Sequence, residues 1–163
     1  MTPEHTPPPW LGHTWRFTVE GTPQPKQRAR HDRTRRGAAP RVDARTLTFE
    51  QRVAGAAIEV GVALPDGAAM RVHVDLWLPD HRSKDGDNIV KAVLDGLQKA
   101  GKLALPDDSL AYVPSGGWTL AGYSPRRPRT EIAITLVERV ATIDCADAVG
   151  EPAADADLIE AYL

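Results

Sequence analysis

Carboxylates stand at both ends of one predicted helix in the middle of this chain. Asp85 and Asp87 are two residues apart at its start, and Asp107 and Asp108 follow a short loop after its end. In an extended segment, residues i and i+2 point to the same side, so Asp85 and Asp87 can converge on one ion. A site made of carboxylates alone suits hard cations such as Mg²⁺ or Mn²⁺. If Asp107 or Asp108 folds back towards Asp85, three carboxylates surround one cavity, as phosphoryl-transfer metal sites require.

A polar ridge is predicted along the same helix. Asp87, Lys91 and Asp95 recur every four residues, and successive members are rotated by only about 40° around the helix axis. Lys91 then lies one turn after Asp87, where its ammonium can reach a phosphate held by a metal ion at Asp87. Such a lysine neutralises charge that develops in the transition state, and the positive end of the helix dipole also favours phosphate there.

Each of these residues also has an ordinary structural interpretation. Asp85 or Asp87 could cap the helix, since aspartate is a favoured N-cap residue. The Asp107–Asp108 pair could be part of a turn. Lys91 could pair with a neighbouring aspartate on a solvated helix face. The sequence leaves both sets of interpretations open.

Other chemistries are excluded by spacing or composition. An EF-hand loop starting at Asp85 would place Ile89 at its third ligand position and Gly96 at its twelfth residue. The five histidines show no zinc-ligand spacing, and the single cysteine, Cys145, excludes an internal disulfide framework and a cysteine-based zinc site. No P-loop, G-x-S-x-G or G-x-G-x-x-G motif is present.

Charge is distributed unevenly, although the formal net charge is only −2. From Glu138 to Leu163 there are seven acidic residues and one basic residue. Between Thr22 and Arg45, only two aspartates oppose eight basic residues: Lys26, Arg28, Arg30, Arg33, Arg35, Arg36, Arg41 and Arg45. This basic segment could bind a phosphate backbone, or it could be a solvated loop.

Hydrophobic periodicity predicts the elements that must position these residues. Alternating apolar residues predict strands at 13–21, 70–79 and 130–138, and residues 109–120 read as a strand broken by a Gly-Gly turn or bulge. One helix is predicted from near Thr46, where Thr48 and Gln51 match a capping box. The second is the helix that carries Lys91, and Gly101 predicts its end.

The resulting β-α-β-α-β-β order predicts an α/β fold, with two helices packed on a small mixed sheet. A chain of 163 residues with 42% apolar content suits one domain. We expect a flexible lead at 1–13, the folded domain at 14–138 and an acidic tail at 139–163. No apolar run is long enough for a membrane-spanning helix, and we expect no secretory signal in the opening residues.

The stretch from Asp85 to Asp108 resembles the RusA family of Holliday-junction resolvases. The family pattern is D-x-D-N-x-x-K-A-x-x-D-x-L followed by an Asp-Asp pair. It is matched here by Asp85, Asp87, Asn88, Lys91, Ala92, Asp95, Leu97, Asp107 and Asp108. The opening strand and the basic loop after it are also similar to the family, so the resemblance extends from Trp15 to Glu138.

The resemblance implies a Mg²⁺-dependent homodimer, with Mn²⁺ as the alternative ion, no organic cofactor and no membrane association. Its substrate would be four-way junction DNA, cut by paired nicks that leave 5′-phosphates, in the cytoplasm of a bacterium or from a phage genome. Carried over by residue, Asp85, Asp87 and Asp108 would be metal ligands and Lys91 catalytic. A longer loop before the Asp-Asp pair leaves Asp107 as the alternative to Asp108.

Supporting and DNA-binding roles are also implied. Asn88 would brace the turn and Asp95 would be structural. The DNA backbone would be gripped by Lys26, Arg28, Arg30, Arg33, Arg35, Arg36, Arg126 and Arg127, together with Arg41, Arg45 and Arg129. Two alternatives remain at this point: a catalytically silent junction-binding protein, and a metal-dependent nuclease for other branched DNA, such as flaps or forks.

Overall fold

The elements follow the predicted order. The computed structural model describes residues 6–26, 43–82 and 84–140. Within them lie β1 (Thr14–Glu20), α1 (Ala44–Glu59), β2 (Ala68–Leu78), α2 (Gly86–Lys99), β3 (Ser115–Tyr123) and β4 (Arg129–Glu138). The α/β class with two helices and a small mixed sheet is thereby confirmed. None of the helices in these ranges is both long and apolar enough to cross a membrane.

The sheet has the strand order β1-β4-β2-β3. β4 is antiparallel to both of its neighbours, whereas β2 and β3 are parallel. Parallel neighbours need a crossover connection, and α2 supplies it. The start of α2 is therefore reached directly from the end of the central strand β2.

One face of the sheet and both helices enclose the core. From Met70 onwards β2 alternates, with Val72, Val74 and Leu76 buried and Arg71 and His73 exposed between them. Because side chains alternate along a strand, the buried set faces the helices. The helices contribute Phe49, Val53 and Ala57 from α1, and Ile89, Val93 and Leu97 from α2.

The start of α1 differs from the prediction. The N-cap is Asp43, whose carboxylate accepts a hydrogen bond from the Arg45 backbone N–H at 2.8 Å. Thr48 lies inside the helix and donates its hydroxyl to the Ala44 carbonyl at 2.9 Å. The capping box predicted from Thr48 and Gln51 is therefore wrong. The aspartate satisfies the free backbone donors one turn earlier.

The predicted break at Gly116–Gly117 is also wrong, because both glycines lie within β3. Gly116 is the register partner of Val72, and a Cβ atom at Gly116 would be 2.8 Å from the Val72 carbonyl oxygen. Glycine therefore permits close approach of the two backbones. The irregularity in this ladder lies further along, between Leu76 and Trp77 of β2.

Close contact with α1 fixes the position of α2. A Cβ atom at Gly96 would lie 2.6 Å from the Val53 Cβ and 2.9 Å from the Glu50 carbonyl oxygen. The helices cross where α2 has no side chain. An ion pair between Lys99 of α2 and the buried Glu50 carboxylate of α1 also joins the two helices. The helix that carries the candidate site is thus held against both the sheet and α1.

Candidate active site at the start of α2

Asp85 is the N-cap of α2, with an extended backbone (φ −82°, ψ 110°). One carboxylate oxygen accepts from the Asn88 backbone N–H at 3.3 Å, and the other accepts from the Asn88 side-chain amide at 2.6 Å. The capping interpretation therefore applies to Asp85. Asp85 can still bind a metal ion while it caps the helix, because each carboxylate oxygen has two lone pairs and the side chain is exposed.

Asp87 lies in the first turn of α2 and is also exposed. Its Oδ1 accepts a hydrogen bond from the Trp118 indole N–H at 2.9 Å. In the described part of the chain its second oxygen makes no hydrogen bond. A negative charge in the first helical turn is favoured by the helix dipole, and the structure holds two carboxylates at one helix start.

Lys91 is exposed one turn after Asp87. Among the described residues it has no hydrogen-bonding or ion-pair partner. Asp95, one further turn along, is instead paired with Lys26. The predicted ridge is therefore divided: its last aspartate neutralises a lysine from another segment, and Lys91 keeps an ammonium available for an anion.

Residues 23–26 are docked on both helices. The Lys26 backbone N–H donates to the Asn88 carbonyl at 2.9 Å, and the Thr46 hydroxyl donates to the Pro25 carbonyl at 3.3 Å. The chain consequently enters its basic segment beside the first turns of α2. The predicted DNA-binding residues Arg28, Arg30, Arg33, Arg35, Arg36 and Arg41 lie outside the described residues.

Lys84 also contacts residues 23–26, although sequence reasoning missed it. It directly precedes Asp85, is partly buried, and donates its ammonium to the Pro23 carbonyl at 3.0 Å. Burial lowers the pKa of Lys84 below its ordinary value, while the charge of Asp80 opposes this shift. Its only sequence signal was its place beside a capping aspartate.

Asp107 and Asp108 are exposed in the segment between α2 and β3. The backbone on either side of them is tied near the start of β2, by bonds of 2.8 Å from Leu64 N–H to Leu103 and from Met70 N–H to Tyr112. Across residues 6–26, 43–82 and 84–140, no three carboxylate, histidine or cysteine side chains lie close enough to hold one metal ion. The structure therefore places two predicted ligands at the start of α2, and the third carboxylate is not beside them.

Three further predicted DNA contacts lie around the β3–β4 connection. Arg126 is exposed, and Arg127 forms a two-pronged ion pair with Glu20, with N–O distances of 2.6 to 3.2 Å. Arg127 holds the pKa of Glu20 below its ordinary value through this hydrogen bonding. Arg129 pairs with Glu131 and lies over Trp77. Glu20 of β1 and Trp77 of β2 are both register partners of Arg129 in β4. This cluster therefore lies at the end of the sheet where β2 ends.

Comparison with known proteins identifies the family of this chain. The profile of the family described as "Endodeoxyribonuclease RusA" matches residues 20–135. The chain belongs to the RusA family. Relatives named crossover junction endodeoxyribonuclease RusA occur in Enterobacteria phage 82 and in Escherichia coli strain K12. Each is 28% identical over 89 residues, which cover 55% of this chain and 71% of the relative. The relative from Shigella sonnei is equally similar.

The residues at the start of α2 fit a magnesium ion. Magnesium prefers oxygen ligands, keeps several waters, and binds through one or two carboxylates together with substrate phosphates. Asp85 and Asp87 supply two exposed carboxylates, each held by one side-chain donor and each with lone pairs left. The start of α2 therefore offers two carboxylates of the kind that a hard cation takes together with a phosphate.

Proposed function

We propose that this chain is a Mg²⁺-dependent endodeoxyribonuclease that resolves Holliday junctions by paired symmetric nicks. The observation that carries the proposal is the pair Asp85 and Asp87 at the start of α2, in a chain of the RusA family. Lys91 follows one turn later, and it has no ion-pair partner among the residues that the structure describes. Its relatives from phage 82 and Escherichia coli are named as crossover junction endodeoxyribonucleases. The reaction would take place in the cytoplasm of a bacterium, where chromosomal and phage DNA are found.

In this mechanism, Asp85 and Asp87 would hold the metal ion. Asp108, or Asp107 in its place, would complete the ligand set after a movement of the connection before β3, because among the described residues no third carboxylate lies beside the pair. Bound Mg²⁺ would polarise the scissile phosphate and lower the pKa of the attacking water. Lys91 would place its ammonium against a non-bridging phosphate oxygen and stabilise the charge that grows there. Asn88 keeps the Asp85 carboxylate in one orientation through its two hydrogen bonds.

Basic groups on both sides of the site would hold the DNA. Lys26 leads into the basic segment beside α2, and Arg126 and Arg127 lie at the sheet edge where β2 ends. Contacts of this kind position the phosphate backbone and carry little sequence information. Junction affinity should therefore fall steeply with salt concentration.

The proposal includes a homodimer. A four-way junction is roughly two-fold symmetric, and its resolution needs two symmetric cuts. A two-fold dimer with one site per subunit matches that requirement.

The test is cleavage of a labelled four-way junction with Mg²⁺ or with EDTA. Wild type, Asp87→Asn and the control Asp66→Asn should be compared, since Asp66 is an exposed aspartate in the loop before β2. We expect symmetric Mg²⁺-dependent nicks from wild type and the control. The Asp87→Asn variant should bind the junction but leave it uncut.

Other outcomes would contradict the proposal. Tight binding without cleavage in Mg²⁺ or Mn²⁺ would identify a junction-binding protein that does not cut. Preferential cleavage of flaps or forks in a panel of branched DNAs would identify a nuclease of another specificity. Absence of both binding and cleavage would leave Asp85 as a helix cap only.

A further inference from the structure

Trp118 covers the start of α2 from the neighbouring strand β3. Its indole N–H donates to Asp87 Oδ1 at 2.9 Å, although the two residues are 31 positions apart. Its ring lies directly on Gly86, so closely that a Cβ atom there would overlap the indole. Nevertheless 45% of Trp118 remains exposed. A large aromatic side chain that is left half in water gains less from burial than a core residue does.

We infer that Trp118 is a positioning residue that orients the Asp87 carboxylate for the metal ion. The inference rests on the proposed function, because it assigns Asp87 to the metal. Asp87 is exposed, and among the described residues this indole is its side chain's hydrogen-bond donor. Without that bond, no hydrogen bond among the described residues would hold the carboxylate in one orientation.

The two carboxylates are held in the same manner. Asp85 accepts from the Asn88 side chain at 2.6 Å, and Asp87 accepts from Trp118. In each case a neutral donor occupies one oxygen and leaves the charge of the carboxylate in place. Partners of this kind typically change metal affinity or activity by about 10- to 100-fold when they are removed. Trp118 would therefore control the affinity of the site without touching the metal.

Gly86 is the second part of this arrangement. Because a methyl group at this position would overlap the indole ring, Gly86→Ala should displace Trp118 from Asp87. The substitution alters neither the carboxylate nor the indole. If the hydrogen bond orients Asp87, then Gly86→Ala and Trp118→Phe should have the same defect. Their double variant should be no worse than either single one, because both remove one interaction.

The experiment measures Mn²⁺ binding to the full chain in the absence of DNA, by calorimetry and by electron paramagnetic resonance. Wild type is compared with Trp118→Phe, Gly86→Ala, their double variant and Asp87→Asn. The control is Trp10→Phe, because Trp10 is a half-buried tryptophan before β1. We expect the Trp118 and Gly86 variants to bind Mn²⁺ about 10-fold more weakly or worse, and the control to match wild type. Circular dichroism checks that each variant is folded.

The Mn²⁺ affinity of the folded variants is the readout that a purely structural role of Trp118 would not change, and tryptophan fluorescence locates the ion. Mn²⁺ is paramagnetic and should quench the part of the emission that Trp118→Phe removes. Wild-type Mn²⁺ affinity in both Trp118→Phe and Gly86→Ala, together with loss of binding in Asp87→Asn, would overturn this inference alone. Wild-type affinity in Asp87→Asn would overturn the proposed metal site, and this inference with it.

Discussion

Asp85 both caps α2 and is a proposed metal ligand, and two substitutions separate these roles. Asparagine is about as good an N-cap residue as aspartate, whereas alanine cannot cap. Asp85→Asn therefore keeps the acceptor for the Asn88 backbone N–H but removes the negative charge. Asp85→Ala removes both. If the metal role is real, the two variants should differ in stability but share a loss of cleavage.

The expected magnitudes follow from the surroundings of Asp85. Loss of the cap in Asp85→Ala should cost about 1 kcal/mol of unfolding free energy, within a range of about 0.5–2 kcal/mol. Asn88 is only half-buried, so water replaces the lost partner of its side chain. Asp85→Asn loses the interaction of its charge with the helix dipole, about 0.3 kcal/mol for an exposed group, and the hydrogen bond from the Asn88 side-chain amide, which water replaces. Cleavage should fall at least about 100-fold in both variants, since outer-shell partners alone can be worth that much.

Denaturant unfolding and junction cleavage over a range of Mg²⁺ concentrations measure the two effects. For a chain of this size, 1 kcal/mol corresponds to a change in Tm of about 2–4 °C. Asp85→Asn with wild-type cleavage at the same Mg²⁺ concentration would show that Asp85 is a cap and not a ligand. Equal stability of the alanine and asparagine variants would instead refute the contribution assigned to the cap.

Two further predictions concern packing and charge. Gly96→Ala should destabilise the fold, because overpacking against α1 costs about 1–3 kcal/mol and the gain in helix propensity returns only about 0.5–1 kcal/mol. Gly55 lies on an open face of α1, with no atom within 4 Å of an added methyl group. Gly55→Ala should therefore raise the free energy of unfolding by the helix-propensity gain alone, and urea unfolding should show opposite changes in stability for the two variants. Arg127 holds the pKa of Glu20 below 4.5, so their pair stabilises the fold above that pH and the contribution is lost as the pH falls through the lowered pKa. Glu20→Gln should remove that part of the pH dependence of Tm and free Arg127 for phosphate, steepening the slope of log affinity against log salt by about 1; an unchanged slope would mean that Arg127 does not contact the DNA.

Local patterns were sufficient for the order of the elements. The alternation in β2 and the apolar stripe of α2 depend on neighbouring residues alone, and both elements were predicted. The capping box at Thr48 failed because Asp43 offers a better acceptor one turn earlier. The break at Gly116 failed because the reason for glycine there is the backbone of another strand, which a single segment does not reveal.

Only those site residues that are close together in sequence could be predicted as a group. Asp85, Asp87 and Lys91 are close in sequence, so one helix brings them together. The Trp118 contact with Asp87 depends on the parallel pairing of β3 with β2, which no short pattern specifies. The return of Asp107 or Asp108 to Asp85 depends on the path of a long connection, and the structure ties that connection near the start of β2.

The position of β2 inside the sheet has a consequence for how the protein loses activity on heating. This strand is hydrogen-bonded along both edges and buried on its helix-facing side, so its amides should exchange with solvent only when most of the domain opens. The chain passes from Leu78, the end of β2, to Asp85 through one short connection. The carboxylates thus lie at the start of α2, one short connection after the element that we expect to exchange most slowly, and not on a loop that opens independently. Heat inactivation should accordingly coincide with global unfolding, without a folded but inactive population beforehand.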